Sequence, residues 1–213
     1  MDVLIIGAGG HGKVVLDILR RAGEHTPVGF LDADPTLAGR EISGVPVLGS
    51  IHLLGKLKSK AAGAIIAIGD NRTRLSYAQK MQSSGWTLVR AIHPSAVVAA
   101  SAQVGINVVV AAGAVIGVDS TVTDSAIINT CAVVDHECTI GSAAHICPGA
   151  LLAGRVTVGE GAFVGLGSRV IQCLAIGAWS TVGAGAVCTR EVPAGATVVG
   201  VPARVIKVTT AVA

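Results

Sequence analysis

Val122-Thr123-Asp124-Ser125-Ala126-Ile127-Ile128-Asn129-Thr130-Cys131-Ala132-Val133-Val134-Asp135-His136-Glu137-Cys138-Thr139-Ile140-Gly141 places an aliphatic residue at every sixth position: Val122, Ile128, Val134 and Ile140. The same period runs outward in both directions. It continues through Ile92, Val98, Val104, Val110 and Ile116 on one side, and Ile146, Leu152, Val158, Val164, Val170, Ile176 and Val182 on the other, sixteen hits without a gap. Four residues after each aliphatic residue stands a mostly small one, as at Ala114, Ser120, Ala126, Ala132, Cys138, Ala144 and Ala150, with Leu174 the exception. An amphipathic helix repeats near 3.6 residues and a simple strand near 2. A period of six needs a short strand followed by a turn. Three such units close a triangular coil of eighteen residues, with the aliphatic residue inward and the small residue at the crowded corner.

This pattern resembles the left-handed parallel β-helix of hexapeptide-repeat proteins, in which each coil buries its apolar face only against its neighbours. The composition fits a thin interior. Hydrophobic residues make up 51% of the 213, but only two Trp, one Tyr and two Phe are present. The core must be built from Ala, Val and Ile rather than from the aromatics that carry the most area.

Ahead of the repeat the pattern changes. Val3 to Ile6 is an apolar strand running into Gly7-Ala8-Gly9-Gly10-His11-Gly12, and Lys13 to Ala22 reads as a helix with Val14, Val15, Ile18 and Leu19 on one side. Strand, glycine-rich turn and helix is the arrangement that lets a backbone approach a phosphate at a helix N-terminus. A second strand, Pro27 to Leu31, ends at Asp32, where an acid commonly takes a ribose hydroxyl. A third, Ala64 to Ile68, precedes Gly69-Asp70-Asn71 and a helix around Arg74 to Gln82. The spacing is compatible with NAD, with a mononucleotide-bearing ligand or with a purely structural turn. The short span to Arg90 leaves room for about half of a doubly wound fold. The expected organisation is therefore a Rossmann-like α/β half domain over 1–90, then the β-helix with a C-terminal tail over 91–213.

Charge narrows the partners. The net charge is +3, and Ala91 to Gly154 holds no Lys or Arg. No basic stripe exists, so nucleic acid is not expected. The start Met1-Asp2-Val3-Leu4 has no basic segment ahead of its apolar run, so no signal peptide is expected and the location reads as cytoplasmic. The uncharged stretch after Arg90 contains His93, Pro94, Gln103 and Asn107 and follows the six-residue period, so no membrane insertion is expected. The five cysteines form no C-x-x-C pair and read as buried small hydrophobes in a reducing compartment.

With both halves read, the chain resembles the sugar acetyltransferases that include UDP-4-amino-sugar and GDP-perosamine N-acetyltransferases and sialic-acid O-acetyltransferases. The resemblance rests on Gly7 to Gly12, Phe30-Leu31-Asp32, Ala67 to Asn71, Ile92 to Ala96, Gly200 to Ala203 and, most specifically, Ile128 to Thr130 with Val134-Asp135-His136-Glu137-Cys138. It implies acetyl transfer from acetyl-CoA to the amino group of a UDP- or GDP-linked 4-amino-4,6-dideoxy sugar, with a sugar hydroxyl as the alternative acceptor. It implies that His136 is the general base, oriented by Glu137. It places His145, Leu166 and Ala184 at the CoA, and Gly9, Gly10, His11, Asp32 and Gly69 at the nucleotide-sugar. Some UDP-sugar members carry paired Asp where this chain has Asp32-Ala33-Asp34, which leaves the base, uracil or guanine, open, and some carry Gly where it has Ala184.

Coil arithmetic adds three expectations. His136 stacks on Gly154, which leaves room beside the imidazole on the cofactor side. Pro148, Leu166 and Ala184 stack in a second column with His145 at its entrance, a position where exposed polar residues are common. The two columns are twelve residues out of phase and fall on different faces, which calls for a homotrimer with sites shared between subunits. A zinc site built from His93, His136 and His145 would require the distant first coil to reach the others, so no metal is expected.

Overall fold

The computed structural model describes residues 1–209. Contacts divide the chain into two compact units, Met1–Pro94 and a second beginning at Ser95.

In the first unit, β1 (Asp2–Ile6), α1 (Gly10–Ala22), β2 (Thr26–Leu31), β3 (Glu41–Ile42), β4 (Val45–Gly49), α2 (Leu54–Leu57), β5 (Gly63–Ile66), α3 (Asn71–Ser83) and β6 (Thr87–Leu88) follow in order. The sheet order is β3-β4-β2-β1-β5-β6, parallel throughout except for the β3–β4 pair. β1 and β5 are continuous apolar runs because both of their faces are covered, and Val3 to Ile6 and Ala64 to Ile66 are wholly buried. The chain leaves β1 to one side for β2 and to the other for β5. The carboxyl ends of these strands therefore open a crevice at the point where the order reverses. Helix α1 begins three residues earlier than its apolar pattern suggested and ends where Gly23 takes φ 71°, its N–H donating to the carbonyl of Leu19. Val15, Ile18 and Leu19 are buried as expected. Val14 is not, and Leu16 takes its place, because the buried stripe of a helix is centred by its neighbours and not by apolar count alone.

The second unit is the left-handed parallel β-helix. Strands of two residues each, from Val97–Val98 to Val187–Cys188, pair in parallel with the strand eighteen residues on: Val115 with Val133, Thr121 with Thr139, Ile127 with His145. Three sheets result, one per side of the coil. From Val110 to Val182 every member of the aliphatic series is at most 2% exposed. The first members, Ile92, Val98 and Val104, are only half-buried because they begin the stack. The small residues at the corners are equally buried, and Leu174 alone is only partly so among those from Ala114 to Ala186.

A second six-residue period accompanies the first. From Asn107 to Gly185, the residue two before each corner's next strand pair takes a left-handed backbone, and at Asn107, Asp119, Ser125, Cys131, Glu137, Ala143, Arg155, Cys173 and Trp179 it is not glycine. Such a conformation costs about 1–2 kcal/mol for a residue with a Cβ. The coil accepts it at each turn because backbone bonds to the neighbouring coil hold it, as with Glu137 N to Val118 O at 2.8 Å. Cys131 and Cys173 occupy such positions and are exposed, so only Cys138, Cys147 and Cys188 are the buried thiols expected of all five. Burial pushes the Cys147 thiol up to about 12.

Candidate functional site

Two groups of residues emerge, one in each unit. In the first unit, Gly9, Gly10, His11, Asp32 and Gly69 line one cavity of about 480 Å³ at the strand ends, joined by Ile51, Ile68, Thr73 and Tyr77. The glycines sort by what surrounds them. Gly7, at φ 110°, would drive a Cβ into the carbonyl of Ala67, and Gly12 would meet the carbonyl of Gly7, so both are required by the turn itself. At Gly9 and Gly10 no atom lies within 4 Å of where a Cβ would stand, and the open space belongs to the cavity.

Asp32 ties the turn together. Its Oδ2 accepts from the N–H of Ala8 at 2.6 Å, and its Oδ1 accepts from Asp34 N at 2.9 Å. Asp34 faces its own loop, accepting from the backbone and hydroxyl of Thr36, and these bonds hold its carboxyl below the usual range. His11 enters the cavity wall with Nε2 buried and, among the described residues, without a hydrogen-bond partner. Burial first, and the Arg74 charge second, lower its imidazole to about 4, so it is neutral at pH 7.

Arg74 was not expected. It is fully buried, with Nη1 donating to the carbonyls of Ile68 at 2.9 Å and Gly69 at 3.0 Å, and Nη2 donating to Asn71 Oδ1 at 2.7 Å. Burial lowers it to about 10, which leaves it charged at neutral pH. The guanidinium thus fixes the Ile68–Gly69 turn and sets a positive charge behind the cavity. Asp70 caps α3 through Thr73 N at 2.8 Å, and that cap was the sequence signal that could have pointed to this helix start.

In the second unit, His136 stands at the corner between strands Val133–Val134 and Thr139–Ile140. Its Nδ1 lies 3.0 Å from Glu137 Oε2, which also accepts from Arg155 Nε at 3.1 Å. The Arg155 bond, then the His136 bond, keep the Glu137 carboxyl below its ordinary value. A carboxylate there makes Nδ1 the protonated nitrogen and leaves Nε2 as acceptor. That nitrogen rests on Gly154: a Cβ at Gly154 would overlap Nε2 and Cε1. The room that Gly154 supplies is filled by the imidazole itself.

The other column is also as spaced: Gly167 N bonds to the carbonyl of Pro148 and Gly185 N to that of Leu166, which bring Pro148, Leu166 and Ala184 into line. Leu166 is 58% exposed. These residues sit at the corner before the sheet of Leu151–Leu152, whereas His136 and Gly154 sit at the corner after it. The two columns therefore flank one sheet instead of occupying separate faces. His145 is covered. It lies on a strand and is 9% exposed, its Nε2 3.0 Å from Asn129 Nδ2 and its ring edge-on to Phe163 at 5.3 Å. It is the strand residue before Ile146, and at this position, where exposed polar residues are common, Asn129 and Phe163 from adjoining coils cover it. Among the described residues no group of three or more His, Cys, Asp or Glu stands within reach of a common metal ion, and no helix is long and apolar enough to cross a membrane.

Residues 2–81 match the PglD N-terminal domain family. Over nearly its whole length the chain is similar to PerB from Caulobacter crescentus, whose crystal structure holds CoA and GDP-perosamine. Identity is 47% and the TM-score 0.92, covering 97% of this chain and 98% of that one. The acetyltransferase domain of PglB from Neisseria gonorrhoeae, solved with acetyl coenzyme A, is 38% identical at a TM-score of 0.92, covering 96% of this chain and 98% of that one. A GDP-perosamine N-acetyltransferase of Escherichia coli O157:H7 is 29% identical over 211 residues, 95% of each chain.

Proposed function

Since the chain belongs to the hexapeptide-repeat sugar acetyltransferase family and is an acetyl-CoA-dependent N-acetyltransferase of a nucleotide-linked amino sugar, we propose that its acceptor is a GDP-linked 4-amino-4,6-dideoxy sugar of the perosamine type. The 47% identity to an enzyme holding GDP-perosamine supports guanine over uracil. An acceptor amine also replaces the hydroxyl that the sequence left as an alternative.

The observation that carries the mechanism is the His136–Glu137 contact with Nε2 turned away from the carboxylate. The neutral sugar amine is the nucleophile, and as its nitrogen bonds to carbon it becomes positively charged and must give up a proton. In this reading His136 Nε2 takes that proton while nitrogen bonds to the thioester carbonyl carbon. The carbon–sulfur bond then breaks, and the departing CoA thiolate receives the proton. Glu137 holds Nδ1–H and stabilises the imidazolium that forms in between.

We assign the nucleotide-sugar to residues 1–90 and acetyl transfer to 91–213. Gly9 and Gly10 give the ligand close approach to backbone, the α1 N-terminus favours its phosphates, and neutral His11, Asp32 and Gly69 supply polar contacts. Leu166 and Ala184, with His145 behind them, form the CoA side. The outward residues of the three sheets support a homotrimer. Gln103, Thr121, Thr139 and Thr157 make one side largely polar, with Ala175 ending the row. Val97, Val115, Val133, Leu151 and Val187 make an apolar ladder on the sheet flanked by both columns, interrupted only by Arg169. Packing that ladder against a second copy would bring one chain's His136 corner to its neighbour's CoA column, and cyclic closure repeats the contact three times. The site of action in this reading is the cytoplasm, where acetyl-CoA is made available.

The test is a panel of GDP- and UDP-linked 4-amino-4,6-dideoxy sugars with acetyl-CoA, following thiol release, with the mass in solution from light scattering. We expect turnover with the GDP-linked amine and a trimer mass. Preference for the UDP-linked sugars would overturn the guanine assignment, and a monomer that turns over normally would overturn the shared site.

A further inference from the structure

The corner that carries His136 has a charged column beside it. Asp119, Glu137, Arg155 and Cys173 are eighteen residues apart, and all take the left-handed backbone, with φ of 57°, 55°, 58° and 60°. Because each coil repeats the same backbone, their side chains leave the solenoid from equivalent points, one above the other. Arg155 N donates to the carbonyl of His136 at 2.9 Å, which fixes the two corners together. Its Nε reaches the same Glu137 oxygen, Oε2, that meets His136 Nδ1.

We propose that Arg155 is a positioning residue for acetyl transfer, which holds Glu137 in place and takes a share of its charge, so that the carboxylate keeps His136 oriented. The proposal rests on His136 being the base.

Arg155 supplies the cation of this corner. Asp135 Oδ1 accepts from His136 N at 2.8 Å, Glu137 faces Nδ1, and Asp119 stands one coil away in the column. Glu137 is thus the carboxylate that meets the imidazole, Asp135 holds the backbone beneath it, and Arg155 on the next coil shares the Glu137 oxygen. Cys173, beyond Arg155, completes the column as an exposed thiol. Geometry adds a demand of its own. The Glu137 and His136 side chains are 49% and 44% exposed, so water competes for the carboxylate, and the Arg155 contact limits where it points.

The experiment measures kcat/KM against pH for the wild type, Arg155→Met and Arg155→Lys at low ionic strength. For Arg155→Met we expect the acid limb to move up by about half a pH unit, a modest shift because exposed charges are screened. At pH 7 kcat should fall about 3- to 10-fold, with KM for both substrates within about twofold, as for a loss confined to proton transfer. Arg155→Lys restores the charge without the planar fork, so it should return the limb to its place and recover only part of kcat. In a Glu137→Gln background the Arg155→Met change should be nearly silent. An acid limb that stays put in Arg155→Met while His136→Ala is inactive would overturn the role of Arg155 alone. Near-normal turnover by His136→Ala would remove the base assignment and this proposal with it.

Discussion

The two units place their polar groups in opposite surroundings. In the α/β unit, His11 and Arg74 lie in or behind a cavity, and burial is the first cause of the lowered values of both. On the β-helix, His136, Glu137 and Arg155 stand at exposed corners, and hydrogen bonds between stacked neighbours are the first cause of the shifts at Glu137 and Arg155. The difference follows from architecture. A twisted sheet wrapped by helices has an interior wide enough to hold a charge away from water. A coil of three two-residue strands has an interior filled by Val, Ile and Ala, so its chemistry can only be done outside, where orientation comes from the eighteen-residue stack.

This contrast can be broken by substitution. The largest effect is expected at the exposed corner. His136→Ala should lower kcat about 10²- to 10⁴-fold while leaving the melting temperature and CoA affinity unchanged, since the ring contributes nothing to the coil interior. Loss of the fold in this variant would show that the corner is structural after all. The buried histidine should behave in the reverse way. His11 is lowered to about 4 from an ordinary 6.5, so its neutral form is favoured by folding. Its contribution is complete above pH 6.5 and is lost as pH falls toward 4. Urea denaturation at pH 7 and pH 4.5 should therefore show the wild type losing about 2–3 kcal/mol more than His11→Gln. Equal losses would mean that water reaches the ring and that the cavity does not tune it. The smallest of the three is Gly10→Val. Its side chain meets open cavity and no protein atom, so the fold should stand while nucleotide-sugar affinity drops about 10- to 100-fold, the equivalent of about 1–3 kcal/mol of steric conflict. Calorimetry showing normal affinity would leave the turn with a structural role only.

Much of this was legible in the residues. The series from Ile92 to Val182 specified coil length, inward positions and corners, because a solenoid repeats one local solution and a periodic sequence is enough to describe it. His136 and Glu137 could be singled out as adjacent residues within one repeat, and the stacking of His136 on Gly154 followed from the same period. Arg155 was one coil away from Glu137 and could have been found by the same arithmetic. It was missed because the left-handed corner that aims both side chains has no single residue type, being Asn, Asp, Ser, Cys, Glu, Ala, Arg or Trp as well as Gly. In the α/β unit the glycine turn and Asp32 were legible from strand ends, the full set of Gly9, Gly10, His11, Asp32 and Gly69 was implied by the family resemblance, and all five line one cavity. Arg74 was not, since an arginine in a helix ordinarily faces water.

The sequence alone therefore determined the period, the parallel stacking and which residues stand at each corner, since these depend on neighbours at fixed separations along the chain. Tertiary structure decided which polar groups are dry. His145 is covered by Asn129 and Phe163, Val14 is displaced from the buried stripe by Leu16, and Arg74 is enclosed by the carbonyls of Ile68 and Gly69. Burial is a property of everything that surrounds a side chain, contributed by segments with no fixed sequence spacing, and the cost of desolvating a charge can be read only once those segments are in place.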